Sequence, residues 1–519
     1  MKLRILPSLF VVIALFSFSA CGGGGSSGSP PPASYTIGIT VSGLTGNELA
    51  LQDNGGDNLP ITANGSYTFA THIAGGGTYN ITVLTQPSNP SQLCVVPHAS
   101  GTANADVTGI EVACTFTQKV LYSFGTFPDG YTPSAELVLD GSGNLYGTTV
   151  EGGLGGGTVF KLTQSNGQWA ETIIYSFCQQ NSCADGGFPY STLIFDTAGN
   201  LYGTTEQGGA YGSNSPPLEG DGVVFELTPQ PTGPWTETVL HSFGNGTDGI
   251  APLAGLVFDK SGNLYGTTAA GGTGGGGGNC SASCGTVFEL SPAAGGQWTE
   301  NVLYNFCSQA ACADGIEPMS ALIIDTAGNL YGTTFEGGDT GNDGTAFELT
   351  PGENSQWTWK LLYTFHESLT NGGSPSGLIM DKSGNLYGTT EFGANGNNGV
   401  AFELSPGSGG QWTENVLYLF CSQANCLDGG ASRSPLVFDN AGNLYGTTIL
   451  GGTSQFGVVF GLTPARTGTW TEVPIYNFLG GEEGSDPVAG LILDANGNLY
   501  GVAPGGPGPE LGIVFEVSP

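Results

Sequence analysis

Ten of the eleven cysteines lie in close pairs, a spacing that suits either disulfide bonds or half of a zinc site. The pairs are Cys94/Cys114, Cys178/Cys183, Cys280/Cys284, Cys307/Cys312 and Cys421/Cys426. Three of them share the frame Phe-Cys-x4-Cys-x-Asp-Gly. Zinc would need ligands from two such frames or from histidines, and the four histidines are scattered. We therefore predict local disulfides, which persist in oxidising compartments, and no metal at the cysteines.

Acidic side chains are the other abundant reactive group. The chain has 43 Asp and Glu against 9 Lys and Arg, a net charge of −34. This balance excludes nucleic acid as a partner, because phosphate contacts need clustered Lys and Arg. Cations, cationic surfaces and neutral glycans remain as ligands. Solubility outside the cell is the other explanation of the charge.

No catalytic motif stands out. The chain lacks Gly-x-Ser-x-Gly, His-Glu-x-x-His and the phosphate-binding Gly-x4-Gly-Lys, and its histidines belong to no paired motif. The segment 339–343 weakly suggests a structural calcium, but the residue order of a calcium loop is absent. We assign no catalytic residue and no cofactor. Glycoside cleavage by two carboxylates stays open, because the sequence does not give their separation.

One phrase, Gly-Asn-Leu-Tyr-Gly-Thr-Thr, organises most of the chain. Its copies begin at Gly143, Gly199, Gly262, Gly328, Gly384 and Gly442, with an incomplete copy at Gly497. The starts are 56, 63, 66, 56, 58 and 55 residues apart, the period of a repeat architecture whose units stack on one another. Each repeat holds four short segments rich in β-branched and aromatic residues and bounded by Gly, Asn, Asp or Pro, which predicts four strands. The aspartate before each copy is expected to accept N–H bonds within its turn.

Seven units of four strands predict an all-β fold, a seven-bladed β-propeller. The last unit ends at Val514–Val517 without a fourth strand, whereas Phe116–Phe124 has the pattern of a fourth strand with no partner before it. We predict that the two segments pair and close the ring, which removes an open sheet edge. An open solenoid of seven repeats is the alternative.

In a propeller, the link from the second to the third strand and the link to the next blade share one face. Here the first link is Gly-rich and variable, and the second carries Asp-Gly-x-x-Pro, so insertions, disulfides and surplus acids gather on that face. Loops of this kind on a rigid scaffold often carry function, and we predict ligand binding there. The candidate residues are Glu151, Asp185, Glu206, Asp221, Asp248, Asp314, Glu336, Asp339, Asp343 and Asp428.

The N-terminal residues predict export. A short apolar run follows two basic residues and ends before Ser19-Ala20-Cys21, which resembles a bacterial lipobox. We interpret residues 1–20 as a signal peptide, Cys21 as a lipidated residue and residues 21–34 as a Gly/Ser/Pro tether. The expected location is the bacterial outer membrane or cell surface, with the lipid as the membrane contact. Ordinary secretion is the alternative.

Residues 35–115 lack the repeat. Four of their segments alternate apolar and polar residues, which is typical of half-buried antiparallel strands. We expect a small immunoglobulin-like β-sandwich with a Cys94–Cys114 disulfide, followed by the propeller over residues 116–519.

The repeat also resembles a known family. The pattern Asp-x-x-Gly-Asn-Leu-Tyr-Gly-Thr-Thr, then Gly-Thr-Val-Phe-x-Leu, then Gly-x-Trp-Thr-Glu-x-x-Leu-Tyr-x-Phe is similar to the GloVer (Gloeo_Verruco) tandem repeat. The resemblance implies a bacterial surface protein of the choice-of-anchor type and brings no activity. We expect a monomeric surface lipoprotein whose propeller binds an extracellular glycan or protein. A propeller hydrolase or lyase acting on extracellular polysaccharide is the alternative.

Overall fold

The computed structural model describes residues 33–518 except 45–46, 88–92, 97–98, 212–219, 232, 274–283, 340, 354–355, 369, 395, 465–469 and 507–510. The predicted signal peptide, Cys21, most of the tether and Cys280 lie outside the described residues. The described chain is all-β, and its helical elements are short 3-10 turns at Asn181–Cys183, Ala310–Cys312, Ser408–Gly410, Ala424–Cys426 and Gly481–Glu483. None of the helices seen in these ranges has the length and apolar character needed to cross a membrane.

The residues before the repeats form two four-stranded sheets around one apolar core. The first sheet has the order Gly65–Thr68, Ile37–Ser42, Val107–Thr115 and Leu93–Val95. The second has the order Asp57–Pro60, Ala50–Asp53, Gly77–Thr85 and Ser100–Ala103, and a separate pair joins Ser34–Tyr35 to Ile73–Ala74. The expectation of purely antiparallel strands is wrong at one place, because Ile37–Ser42 and Val107–Thr115 run parallel. The long stretch of chain between these two strands allows this pairing.

Seven sheets follow in the described residues, and we number them sheet 1 to sheet 7 along the chain. Their first strands are Val138–Leu139, Ile194–Phe195, Val257–Phe258, Ile323–Ile324, Ile379–Met380, Val437–Phe438 and Ile492–Leu493. Their second strands are Leu145–Thr149, Leu201–Thr205, Leu264–Thr268, Leu330–Thr334, Leu386–Gly393, Leu444–Thr448 and Leu499–Ala503. Each first strand pairs antiparallel with its second strand.

The third and fourth strands complete each sheet in the same order. The third strands are Thr158–Ser165, Val223–Thr228, Thr286–Pro292, Thr345–Pro351, Val400–Pro406, Val458–Pro464 and Ile513–Ser518. The fourth strands are Gln168–Ser176, Thr236–Ser242, Trp298–Asn305, Trp357–Thr364, Trp412–Leu419, Trp470–Asn477 and, for sheet 7, Thr117–Ser123. Sheet 5 gains an extra strand, Gly372–Pro375, and Gly130–Tyr131 pairs with Glu151–Gly152 beside sheet 1.

The two ends of the repeat region pair as predicted. Thr117–Ser123 runs antiparallel to Ile513–Ser518, with Gln118 opposite Val517. Each sheet also packs against the next through an apolar cluster. A seventh cluster joins sheet 7 to sheet 1 and includes Val514 and Phe160. The arrangement is propeller-like, and it leaves neither chain end of the repeat region as an open edge.

The first half of the recurring phrase builds the turn, as sheet 4 shows. One carboxylate oxygen of Asp325 accepts N–H bonds from Ala327 at 2.8 Å and from Asn329 at 2.9 Å. The other oxygen accepts the side-chain amide of Asn329 at 2.8 Å and the hydroxyl of Tyr331 at 3.2 Å. The predicted structural role of this aspartate is confirmed. Leu330 follows and is fully buried in the core.

The second half of the phrase packs and links the sheets. A Cβ atom on Gly332 would lie 2.6 Å from Cζ of Phe347, so only glycine leaves room for that ring. The hydroxyl of Thr333 donates a 2.9 Å bond to the carbonyl of Ser376 in the next repeat. The hydroxyl of Thr334 donates a 2.9 Å bond to the carbonyl of Glu336 in its own link. The two threonines therefore fix the sheet to its neighbour and order the link.

Candidate functional site

The seven sheets enclose a cavity of about 660 Å³ that every repeat lines. We call it the shared cavity. It lies where the chain enters the first strand of each sheet, and link residues such as Glu317, Phe335 and Glu391 also contact it. Its mouth is therefore on the face that carries the links.

Two positions per repeat supply half of the residues that line it. The mouth position lies three residues before the buried leucine that precedes each first strand, and its residues are Ser134, Tyr190, Leu253, Met319, Pro375, Arg433 and Val488. The neck position lies directly before that leucine, and its residues are Glu136, Thr192, Gly255, Ala321, Gly377, Pro435 and Gly490. The mouth positions thus hold seven different residue types, while the neck positions are small or compact except for one glutamate.

Glu136 is the charged residue of the neck. A Cβ atom on Gly490 would lie 3.1 Å from its carboxyl carbon and 2.8 Å from Cγ of Pro435, so the glutamate occupies space that glycine leaves. No side chain or backbone group of the described residues forms a hydrogen bond or ion pair with its carboxyl group. Burial raises the pKa of Glu136 to about 7, because a low-dielectric surrounding disfavours the charged form.

The wall near the mouth holds a second group of charges. Arg433, whose side chain is 52% exposed, forms an ion pair with Glu391, which is 3% exposed. The other carboxylate oxygen of Glu391 has no hydrogen-bond partner among the described residues. Burial, and then the charge of Glu336, raise the pKa of Glu317 on the same wall. Three acids therefore face the cavity against one base.

Four of the ten predicted face residues are buried inside their loops: Asp185, Asp248, Asp314 and Asp428. The carboxylate of Asp314, for example, accepts bonds from the Tyr304 hydroxyl at 2.8 Å, the Ser308 N–H at 2.9 Å and the Gln309 N–H at 3.2 Å. These four carboxylates are thus correctly placed in the links but are not offered to a ligand. The physical reason is that each tight loop leaves N–H groups that need an internal acceptor.

The other six predicted residues lie on the links with at least part of their side chains exposed: Glu151, Glu206, Asp221, Glu336, Asp339 and Asp343. The two links of a repeat do lie together, as in the isolated pairing of Ile316 with Glu336. Asp339, Asp343 and His366 each place one possible ligand atom within 4.8 Å of the others. Nδ1 of His366 already forms an ion pair with Asp339 at 2.7 Å, and calcium prefers oxygen ligands, so a structural calcium here stays a prediction. Whether a ligand contacts the six stays a prediction.

The disulfides form where the spacing predicted them. Bonds join Cys94 to Cys114, Cys178 to Cys183, Cys307 to Cys312 and Cys421 to Cys426. Cys284 is also disulfide-bonded. Three of these bonds, Cys178–Cys183, Cys307–Cys312 and Cys421–Cys426, close loops that lie next to Asp185, Asp314 and Asp428. They therefore rigidify the links. Such bonds are typical of a protein outside the cytoplasm.

A further set of acids lies between neighbouring sheets. The glutamates of the Trp-x-Glu segments in the fourth strands each have a buried carboxylate oxygen without a partner among the described residues, and they are Glu171, Glu237, Glu300, Glu414 and Glu472. Burial, and then the charge of Asp185, raise the pKa of Glu237 to about 8. Burial, and then the charge of Asp428, raise the pKa of Glu472 to about 9.

The comparison with known families decides the classification. A sequence model of the Gloeobacter/Verrucomicrobia repeat matches residues 98–280 and 277–515. The chain belongs to this repeat family. The predicted resemblance is thereby confirmed, and the family agrees with a tandem-repeat protein of propeller-like fold.

Two solved structures are similar to this member of the Gloeobacter/Verrucomicrobia repeat family. An ancestral GH74 enzyme has a TM-score of 0.51 at 10% identity over 90% of this chain, which spans 56% of that enzyme's chain. A Thermus thermophilus protein named as an oxidoreductase (glucose dehydrogenase) has a TM-score of 0.35 at 14% identity, with 78% of this chain and 99% of that chain covered. The GH74 likeness shows the fold alone. Among curated proteins, no sequence matches the chain.

The cavity residues of this repeat-family protein could not be identified from sequence motifs. Glu136, Tyr190, Met319 and Arg433 belong to no motif and stand in apolar or Pro-rich surroundings. A signal was present, because the residue three places before the first-strand leucine differs in all seven copies while the leucine never changes. This variable position keeps a fixed distance from the core leucine and not from the acidic loops.

Proposed function

We propose that this protein is an exported surface protein whose seven sheets are the blades of a closed β-propeller, and that the shared cavity binds an extracellular ligand. An immunoglobulin-like sandwich over residues 35–115 precedes the propeller over residues 116–519. One observation carries the proposal: seven different residue types occupy the seven equivalent mouth positions.

The variation at the mouth positions is significant because the residues that build the core recur in every repeat. The leucine three residues after each mouth position, the aspartate of each turn and the Phe that packs on the second-strand glycine recur through the repeats. A scaffold needs such repetition, whereas a specific site needs residues that differ around it. A volume of about 660 Å³ also lies within the range of small-molecule sites. The cavity therefore suits a small molecule, the end of a glycan or a protruding side chain of a protein.

The links at the mouth extend this site. Glu206 and Glu336 lie on links that border the mouth, and burial raises the pKa of Glu206. A glycan or protein larger than the cavity would contact these links, where the repeats differ in length. The acidic face predicted from the sequence thus becomes the outer part of the proposed site.

Attachment to the membrane is the second part of the proposal. Cys21 would carry the lipid, and residues 22–34 would hold the folded part away from the bilayer. Replacing Cys21 by Ser should move the protein from the membrane fraction to the soluble exported fraction. Retention of Cys21→Ser in the membrane fraction would contradict lipid attachment.

Glycoside cleavage is a second candidate, and Glu136 favours it. A carboxyl group whose pKa is about 7 suits a general acid near neutral pH. However, burial accounts for that pKa without the charge of another acid, whereas glycosidases of the common type use two facing carboxyl groups. Release of reducing sugar from a polysaccharide panel by the wild type, abolished in Glu136→Gln, would favour the enzyme.

The test of the binding proposal fills the cavity. Met319 is 43% exposed at the mouth, and Leu361 is 37% exposed on the fourth strand of the same sheet, away from the residues that line the cavity. We expect hits from a glycan array and an organic fragment library to be lost in Met319→Trp and kept in Leu361→Trp. No hits, or hits that survive Met319→Trp, would contradict the proposal.

A further inference from the structure

We infer that the shared cavity takes an organic cation, whose protonated amine reaches the carboxyl group of Glu136 while its apolar body lies against the mouth positions. This inference rests on the proposed function and specifies its ligand class. It follows from three properties of the cavity: an unpaired carboxyl group at the neck, an excess of acids on the wall, and an apolar rim.

The first of the three properties is the unpaired carboxyl group of Glu136. The neighbours of Glu136 at the neck are Gly490 and Pro435, and neither carries a side-chain donor. Glu136 is partly exposed towards the cavity, and a carboxylate with restricted access to water is stabilised by a proton or a cation that joins it. A primary ammonium group brings a positive charge and three N–H donors. It would therefore supply the hydrogen bonds and the positive charge that no described protein group supplies to the carboxyl group of Glu136.

The charged residues of the cavity wall favour a ligand of positive charge. Glu136, Glu317 and Glu391 face the cavity, and the one base, Arg433, is already paired with Glu391. The whole chain adds a net charge of −34, which attracts cations towards the surface. An anionic ligand would meet these acids without a free base. The charge balance thus favours a cation over a carboxylate, sulfate or phosphate compound.

The apolar residues at the mouth positions favour a ligand with an apolar carbon skeleton. Tyr190, Leu253, Met319 and Val488 stand at four of the seven mouth positions and present apolar or aromatic surface. Contact with such surface stabilises a ligand in proportion to the apolar area removed from water. An alkyl or aryl amine matches both ends of the cavity, with its charge at the neck and its carbon skeleton at the mouth.

Proton linkage adds a property that can be measured. The titratable and charged groups that face the cavity are Glu136, Glu317, Glu391, Tyr190 and Arg433. Since burial raises the pKa of Glu136 to about 7, its ionised fraction grows from about one-tenth at pH 6 to about nine-tenths at pH 8. An ammonium group binds the ionised form, so its Kd should fall about tenfold over this range. A neutral probe of the same shape should not show this change.

The experiment compares three six-carbon probes: hexylamine, hexanol and hexanoate. Titrations by saturation-transfer NMR with the purified protein at pH 6 and pH 8 give the three Kd values. We expect hexylamine to bind with a Kd on the order of 1 mM at pH 8, about tenfold more weakly at pH 6, and hexanol and hexanoate to bind at least about tenfold more weakly at pH 8. Glu136→Gln should remove the pH dependence, and Glu353→Gln, an exposed acid that does not line the cavity, should keep it.

The outcomes separate this inference from the proposed function. If hexanol or hexanoate binds as tightly as hexylamine, or if hexylamine shows no saturable binding, the cation class is wrong. If the binding of another probe, array glycan or fragment is still lost in Met319→Trp, the cavity would remain the binding site. If Met319→Trp changes the binding of no probe, array glycan or fragment, the proposed function itself fails. Should Glu136→Gln not fold, the pH series and the hexanol comparison on the wild type still decide.

Discussion

The hydroxyl of Tyr363 donates a 2.9 Å hydrogen bond to Glu414, which belongs to the next sheet. At four other places the equivalent tyrosine bonds the aspartate of the link that follows it, as Tyr418 does with Asp428 at 2.7 Å. The fifth repeat carries Asn371 in place of that aspartate. At Tyr418 the link acid Asp428 takes the hydroxyl that Glu414 takes at Tyr363, and the nearby Glu472 is left with unpartnered carboxylate oxygens among the described residues.

This arrangement predicts how stability depends on pH. Glu472 is 8% exposed, and neither of its carboxylate oxygens has a partner among the described residues. Burial, and then the charge of Asp428, raise its pKa from 4.5 to about 9. Because the folded-state pKa is the higher one, the stabilisation from the bound proton is complete below about pH 4.5 and is lost as the pH rises through about 9.

We therefore expect the free energy of unfolding to fall between pH 5 and pH 8 by up to about 1.4 kcal/mol per pH unit from Glu472 alone. Glu472→Gln should remove this part of the slope, because the amide stays neutral. Urea denaturation at the two pH values measures it, with the exposed Glu353→Gln as the control. Equal slopes in wild type and Glu472→Gln would show that Glu472 is not protonated in the folded protein.

A second prediction concerns the glycine of the recurring phrase. A Cβ atom on Gly332 would lie 2.6 Å from Phe347 and 2.8 Å from Leu322, which overpacks the core of sheet 4. Gly332→Ala should lower the free energy of unfolding by about 1–3 kcal/mol. Gly141→Ala, where a Cβ atom meets nothing within 4 Å, should leave it nearly unchanged. Equal values for the two variants in thermal or urea unfolding would refute the packing role.

Ring closure makes a third prediction. Phe515 in the last strand and Phe347 in the middle of the repeats are equally buried and pack on equivalent glycines. If the first and last segments hold each other in solution, Phe515→Ala and Phe347→Ala should both cost about 3–5 kcal/mol. Denaturant unfolding of the two variants provides the comparison. A cost below about 1 kcal/mol for Phe515→Ala alone would mean that the last sheet frays open.

The buried link aspartates make a fourth prediction. Asp314→Ala removes the acceptor of two O–H and two N–H groups and should lower the free energy of unfolding by about 3 kcal/mol or more. Asp339→Asn, on the exposed part of a link, should change it by less than about 1 kcal/mol. The reverse ranking in calorimetry would contradict the structural role of Asp314.

Most of the fold could be predicted because it depends on local, repeated chemistry. The phrase from Asn329 to Thr334 holds a turn, a core leucine, a packing glycine and two linking threonines, and each of these follows from residue type. The pairing of Thr117–Ser123 with Ile513–Ser518 followed from the incomplete units at the two ends. The parallel pair in the first part of the chain did not follow, because alternation of apolar residues does not report strand direction.

The candidate site could be predicted only in part. The sequence placed the acidic links on one face, but it did not show that Asp185 and Asp314 turn inward to accept loop N–H groups. It also did not show that Glu136 projects into a cavity, since a single glutamate before a strand usually faces solvent. Whether a carboxyl group is buried depends on seven chain segments meeting at the neck, which no local pattern encodes.

A crystal structure of the protein grown with hexylamine at pH 8 tests the central claim most directly. We predict one bound amine in the shared cavity, with its nitrogen about 3 Å from a carboxylate oxygen of Glu136 and its carbon chain between Leu253 and Met319. Hexylamine bound on the outer links with the cavity unoccupied would contradict the account.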